Sequence, residues 1–345
     1  MAVVNRPFGV VPSVRADSRQ ARTSQNGWTQ ICTIAISFTL FNLVRLPREA
    51  IKYGEVPYLV IYSFWLLVVA LPTTLLQLAM GQLSQQDAVG VWRAVPILRG
   101  VGHLKILTSF LCCVYSLIYT SLSAAYMIWI GKGTFPLKDC SKLHLTPNGY
   151  ENKMNASECF NSTFLAPFTE QPQYLGVMAI LIFVLWFFVP IMLYRLRSTL
   201  RISLITLTPV IITIAVVLTI FLSDMNTLST MLESCEHWLP LTQPYIWHSG
   251  LVQALLSTQV VSGYLVSAGG TVYRQSDVRW TSTFITITNL LTVFMWQSIG
   301  GEGTKDSSFI AVLVLIYQSS ISEKRSKEWP LLAFAVIFIS GVITV

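Results

Sequence analysis

The sequence predicts an all-α integral membrane protein. Apolar residues make up 53% of its 345 residues and charged residues only 11%, and the mean hydropathy is +0.59. A soluble protein needs more charge than this to cover its surface. A helix needs about 20 mostly apolar residues to cross a bilayer. Candidate spans, the first interrupted by polar residues, are 29–47, 57–80, 104–130, 174–194, 202–222, 251–270, 281–300 and 329–345.

Basic residues indicate the orientation of these spans. Residues 1–27 lack the apolar core of a signal peptide and carry several arginines, so we expect a disordered cytoplasmic tail. Arginines recur between spans two and three, four and five, and six and seven. Since positive charge favours the cytoplasmic side, the transmembrane domain 28–345 would expose the loops 131–173 and 301–328 outside. The net charge of +7 is explained by these orienting basic residues, and no nucleic-acid partner is expected.

The loop 131–173 has the composition of an extracellular segment. It contains two sequons, at Asn155 and Asn161, and two cysteines, Cys140 and Cys159. We therefore predict glycosylation of both asparagines and a Cys140–Cys159 disulfide, the alternative being two free thiols. The other four cysteines lack ligand spacing with histidines, which gives no reason to predict a metal site there.

Polar residues inside the spans are the candidates for function. The sequence contains no glycine-rich phosphate loop, no nucleophile motif and no zinc-binding motif, so an enzyme is not expected. The segments 29–47 and 245–270 both have polar or glycine-containing middles and occupy matching places in a five-plus-five repeat. Broken helices in inverted repeats bind ions and substrate in transporters. Hydrogen bonding between packed helices is the structural alternative for each polar residue.

Four stretches carry a resemblance to a known family. They are "FNLVRLP" (41–47), "ALPTTLLQLAMGQLS" (70–84), "PILRGVGHLKILTSFL" (96–111) and "IWHSGLVQALLS" (246–257). The chain resembles the neurotransmitter:sodium symporter family over nearly its whole length after residue 28. The resemblance implies a LeuT-like inverted-repeat transporter fold with about eight of the family's twelve transmembrane helices present. Because the chain stops inside an apolar helix, we expect a divergent, C-terminally truncated member.

The resemblance also implies sites for two kinds of ion. No other cofactor and no metal except sodium is expected, and the need for chloride stays open. The sodium ligands carried over are Ala35, Ser37, Phe38, Asn42, Ser257, Asn289, Ser340 and Thr344. The chloride ligands carried over are Tyr62, Gln253, Ser257 and Asn289.

A further set matches the family's substrate and gate positions: Thr39, Arg45, Tyr115, Ser116, Leu256 and Gln259. Thr39 and Phe41 stand where the family's first helix has glycines that let the backbone turn. Thr39 also replaces the aspartate of amine carriers, which argues against a monoamine substrate. Pro47 is expected to end the outer half of a broken helix.

Two functions are compatible with these residues. The first is sodium-coupled symport of an amino-acid-like or neurotransmitter-like small organic solute across the plasma membrane, by alternating access. The protein would be a multi-pass one with a cytoplasmic N-terminus and membrane lipid around it, and homo-oligomerisation stays open. The alternative is a degenerate, non-transporting member that acts as a membrane partner or regulator.

Overall fold

The computed structural model describes residues 27, 29–94, 96–132, 144–145, 151–152, 172–194, 206–216, 242–297 and 328–344. The predicted N-terminal tail up to residue 26 and the loop 301–327 lie outside these ranges. So do Cys140, Cys159, Asn155 and Asn161, and the predicted disulfide and glycans stay predictions.

Apart from one short strand pair, the described residues form an α-helical structure, as predicted. Its helices are α1a (29–37), α1b (40–53), α2 (Glu55–Ser84), α3 (Arg99–Lys132), α4 (Pro172–Tyr194), α5 (Thr206–Val216), α6a (Pro244–Ser257), α6b (Tyr264–Thr271), α7 (Val278–Gln297) and α8 (Glu328–Thr344). Two 3-10 turns, Val91–Ala94 and Pro96–Leu98, precede α3, and His144–Leu145 pairs antiparallel with Glu151–Asn152. Three stretches are long and apolar enough to span a membrane within the described residues: Thr29–Ala50, Glu55–Ser84 and Gly100–Ile128.

The first span is broken, as its polar middle predicted. The α-helix stops before Phe38 and Thr39, and α1b then opens with a π turn, Phe41–Arg45. Two side chains of α8 bond the freed backbone: the Ser340 hydroxyl donates to Phe38 O (2.7 Å), and Leu40 N–H donates to Thr344 Oγ1 (3.0 Å). A break inside a membrane is stable only when other groups satisfy the backbone in this way.

Pro47 does not end the outer half of α1, and that prediction is wrong. The α-helical part of α1b runs from Leu46 to Tyr53, and Pro47 lies in its first turn. Proline is tolerated in a first turn because the N–H that it lacks has few intrahelical acceptors there. The helix ends instead at Gly54, whose φ of 96° few other residues would adopt.

The sixth span is broken as well, again as predicted. α6a ends at Ser257, and residues 258–263 form turns before α6b begins. Two left-handed residues reverse the backbone here, Gln259 (φ 58°) and Gly263 (φ 77°). The break therefore contains one residue, Gln259, that adopts this conformation without the freedom of glycine.

Helix α1 lies at the centre of the packing. In α1, 78% of the most apolar stretch is buried inside the protein, whereas the corresponding share is 33% in α2 and 17% in α3. One apolar cluster joins α1 to α3, α5 and α8, a second joins α1b to α2, α6a and α7, and a third joins α1a to α2, α6b and α7. Helix α6a packs against the first part of α2 (Glu55–Trp65), and α6b packs against its last part (Leu71–Ser84). Helix α8 packs along α3. The broken part of α1 is consequently surrounded by α6, α7 and α8.

Candidate functional site

A buried amide pair lies beside the break in α1. Asn42 and Asn289 are both fully buried, and Asn42 Nδ2 donates to Asn289 Oδ1 (2.6 Å) and to Ser37 O (2.9 Å). Asn289 Nδ2 in turn donates to Ile285 O (2.8 Å). Asn42 Oδ1 is buried, and none of the described residues donates a hydrogen bond to it. Since such oxygens usually have partners, this one is a candidate ligand atom.

A second contact ties the outer halves of the broken helices together. Gln253 of α6a donates from Nε2 to Phe41 O (2.9 Å), at the start of the π turn. Its Oε1 accepts a hydrogen bond of 2.5 Å from Arg45 Nη1. One amide thus holds both the freed backbone of α1b and the arginine predicted to serve as a gate.

The predicted chloride ligands form separate pairs rather than one group. Tyr62 and Ser257 hydroxyls lie 3.1 Å apart. Ser257 donates its own proton to Ala254 O (3.1 Å), so Tyr62 is the donor of the pair. Among the contacts of the described residues, Gln253 bonds instead to α1b, and Asn289 bonds to Asn42.

Two of the predicted sodium ligands on α8 contact the backbone at the break in α1. Ser340 donates to Phe38 O, and Thr344 bonds Leu40 N–H and Ser340 O. Ala35 O accepts from Phe38 N–H (3.2 Å). The hydroxyl groups of α8 and the Phe38 carbonyl therefore lie together at the break.

The predicted substrate and gate residues are only partly brought together. Phe41 and Tyr115 stack with their ring centroids 5.8 Å apart and their planes within 6° of each other. Thr39 Oγ1 is buried without a hydrogen-bond partner. Ser116 bonds back to Cys112 O (2.9 Å), and Gln259 Oε1 accepts from Ser262 within its own turn (3.0 Å). Leu256 is partly buried on α6a.

A buried carboxylate is the main polar feature that the sequence predictions assigned no role. Glu49 accepts hydrogen bonds from Arg48 Nη2 (2.7 Å) and Ser249 Oγ (2.8 Å), and Tyr58 OH lies 3.3 Å from the same serine. A carboxylate in a membrane span is a usable sequence signal, since such groups are costly unless paired. Its partner on α6a lies 200 positions along the chain and was not foreseeable.

The chemistry of the site is that of neutral oxygens. Among the described residues, no three histidine, cysteine, aspartate or glutamate side chains are grouped as metal ligands. Amide, hydroxyl and carbonyl oxygens suit a hard cation of low charge, which unwound backbone also coordinates in transporters. Sodium is an ion whose chemistry fits this donor set.

Two broken helices that enclose buried polar oxygens are the arrangement typical of secondary transporters with discontinuous spans. A solved structure supports this fold. The chain superposes on the crystal structure of MhsT in complex with L-phenylalanine with a TM-score of 0.75 and 14% identity, over 92% of this chain and 70% of that one. This likeness confirms the LeuT-like fold.

The chain belongs to the sodium:neurotransmitter symporter family, whose family model matches residues 28–299. It is 27% identical over 143 residues to a sodium- and chloride-dependent betaine transporter of Caenorhabditis elegans, and the matched region covers 38% of this chain and 24% of that protein. It is 30% identical over 134 residues to a sodium-dependent dopamine transporter of Bos taurus, over 39% of this chain and 19% of that protein. The matches thus span about a quarter or less of these relatives. The family consists of transporters and not of enzymes.

Proposed function

We propose that this chain carries out sodium-coupled symport of a small amino-acid-like or neurotransmitter-like solute across the plasma membrane, with its N-terminus in the cytoplasm. The observation that carries the proposal is the Asn42 cluster. Three oxygen-bearing groups, Ser37 O, Asn289 Oδ1 and the Asn42 amide, converge beside a broken helix, and Asn42 Oδ1 has no protein partner.

In this arrangement Asn42 Nδ2 occupies the place that a cation would take between Ser37 O and Asn289 Oδ1. A half-turn of the amide group would direct Oδ1 to the same place. Three oxygens facing one another repel, and a sodium ion between them would turn that repulsion into attraction. The ion would therefore favour the conformation that brings α1 and α7 together, which is how a ligand shifts an equilibrium between states.

A chloride ion would be bound by hydroxyl and amide N–H groups that donate hydrogen bonds to it. The Tyr62 hydroxyl already donates toward Ser257, and Gln253 and Asn289 carry amide N–H groups close to the break. We propose that these residues exchange their present acceptors for the anion. Surrounding lipid and self-association of the chain are further parts of this proposal.

Uptake of labelled amino acids into transfected cells tests the proposal. Wild type should show uptake that is lost when choline replaces sodium, and Asn42→Ala should abolish it at normal surface expression. Ser123→Ala is the matched control, because Ser123 is also fully buried in a span but, among the described residues, its hydroxyl bonds to Tyr119 O of its own helix. If Asn42 served packing alone, its loss would cost only about 1 kcal/mol of stability and leave coupling intact.

A second function is favoured by one observation. The Phe41 ring, rather than a glycine, lies at the break and is 3% exposed. A chain whose solute site is filled in this way would be a non-transporting member that acts as a membrane partner or regulator. Phe41→Gly distinguishes the two functions: sodium-dependent stabilisation absent from both wild type and this variant would favour the non-transporting role.

A further inference from the structure

Phe41 is a buried aromatic residue at the break in α1. Its side chain is 3% exposed, yet it belongs to none of the three apolar clusters that hold the described helices together. Its ring stacks on Tyr115 of α3, within the range of favourable aromatic contacts. The surroundings of this ring differ from those of the other buried phenylalanines, Phe38 and Phe334, which are members of the α1–α3–α5–α8 cluster.

The groups beside Phe41 in the chain are polar and incompletely bonded. Thr39 Oγ1 and Asn42 Oδ1 are both buried without hydrogen-bond partners. The backbone of Phe41 is fixed, because its carbonyl accepts from Gln253 Nε2 and from Leu46 N–H across the π turn. Phe41 therefore lies between two broken helices, where transporters of this architecture hold their solutes.

We propose that Phe41 is a built-in occupant of the solute site and its principal specificity determinant. The ring fills the space between the α1 break and Tyr115 that the side chain of an amino-acid solute would need. The site of this chain consequently accepts solutes without an aromatic or long aliphatic side chain. The inference rests on the proposed function only in taking the break to be the solute site.

Removing the ring should convert the occupied region into a binding site. A cavity in a closely packed interior persists in part when a large side chain is truncated, and it can take up a molecule that matches the lost group. Phe41→Ala should therefore bind L-phenylalanine, whose ring replaces the missing one and whose ammonium and carboxylate groups meet the polar atoms of the break. Wild type should not bind it.

The matched control is Phe334→Ala. Phe334 is fully buried and stacks on a tyrosine, Tyr126, with centroids 4.9 Å apart and planes within 12°. Its neighbours are apolar apart from the Tyr126 hydroxyl, so the cavity left by its ring offers little to the ammonium and carboxylate groups of a zwitterion. Benzene should stabilise both variants, whereas L-phenylalanine should stabilise only Phe41→Ala.

The experiment is thermal unfolding of the purified full chain with L-phenylalanine, benzene or no addition, in sodium chloride and in choline chloride. We expect L-phenylalanine to raise the Tm of Phe41→Ala by about 3 °C or more and to leave wild type and Phe334→Ala unchanged. Phe41→Val, which keeps an apolar side chain, should gain the same response and provides a second folded variant. A gain seen equally in choline would uphold this inference while contradicting sodium coupling.

Three results would overturn the inference. The first is a folded Phe41→Ala or Phe41→Val protein that L-phenylalanine does not stabilise. The second is wild type that L-phenylalanine stabilises as much as the variants. The third is failure of both variants to fold, which would make Phe41 an indispensable core residue.

Discussion

Asn42 and Phe41 are neighbours in the sequence, but they use the break in α1 differently. The asparagine bonds across to α7, and the phenylalanine stacks on α3. Asn42, Ser257 and Asn289 could be selected from the sequence because amides and hydroxyls are costly in a span. Their pairing could not, since the bond from Asn42 to Asn289 joins residues 247 positions apart and depends on how three helices pack.

Glu49 allows a test of how much one buried ion pair contributes to stability. It is buried, forms an ion pair with Arg48 and accepts from Ser249 on α6a. Glu49→Gln keeps the shape but leaves the Arg48 guanidinium without its counter-charge, and we expect a loss of about 2–3 kcal/mol of stability. Thermal unfolding of the purified chain measures this loss. Asp87→Asn, at an exposed position, is the control; equal effects of the two substitutions would mean that the Glu49 contacts contribute little.

At the scale of helices, the two interruptions were predictable and their geometry was not. Polar residues and glycines in 29–47 and 245–270 indicated the breaks, which the structure confirms at 38–39 and 258–263. The π turn Phe41–Arg45 has no sequence signature comparable to a proline or a glycine. It explains why Pro47 is accommodated, because the α-helix begins afresh at Leu46.

The contact between α2 and α6b makes a prediction about glycine. A methyl group added to Gly269 would lie 2.7 Å from Leu78 O and 3.2 Å from Gly81 Cα. Small residues of this kind let membrane helices approach closely. Gly269→Ala should therefore separate α6b from α2 and destabilise the protein by about 2 kcal/mol.

Gly176→Ala is the control for that prediction. Gly176 lies in α4, and apart from the backbone of its own helix no atom of the described residues lies within 4 Å of the added methyl group. The substitution should be neutral or stabilise by up to about 1 kcal/mol, because alanine favours the helix. Thermal unfolding of both variants in one detergent measures the difference. A Gly269→Ala protein as stable as the Gly176→Ala protein would show that the two helices do not need their close contact.

For the whole molecule, orientation is the property that the charge pattern predicts most directly. If the N-terminus is cytoplasmic, the loop that carries Asn155 and Asn161 is outside and both asparagines can receive glycans. Removal of N-glycans should then increase gel mobility for wild type. Asn155→Gln and Asn161→Gln should each remove one step of that change, and their combination all of it. A chain from human cells with no glycan at either site would contradict the orientation.

Sodium binding by the whole protein is the property on which the proposed function depends. The family, the fold and the oxygens around Asn42 all support it, and none of them measures the ion. Equilibrium binding of radioactive sodium to the purified full chain in choline chloride does so directly. We predict saturable binding to wild type and to Ser123→Ala, and its loss in Asn42→Ala. Absence of saturable binding to wild type, or undiminished binding to Asn42→Ala, would contradict it.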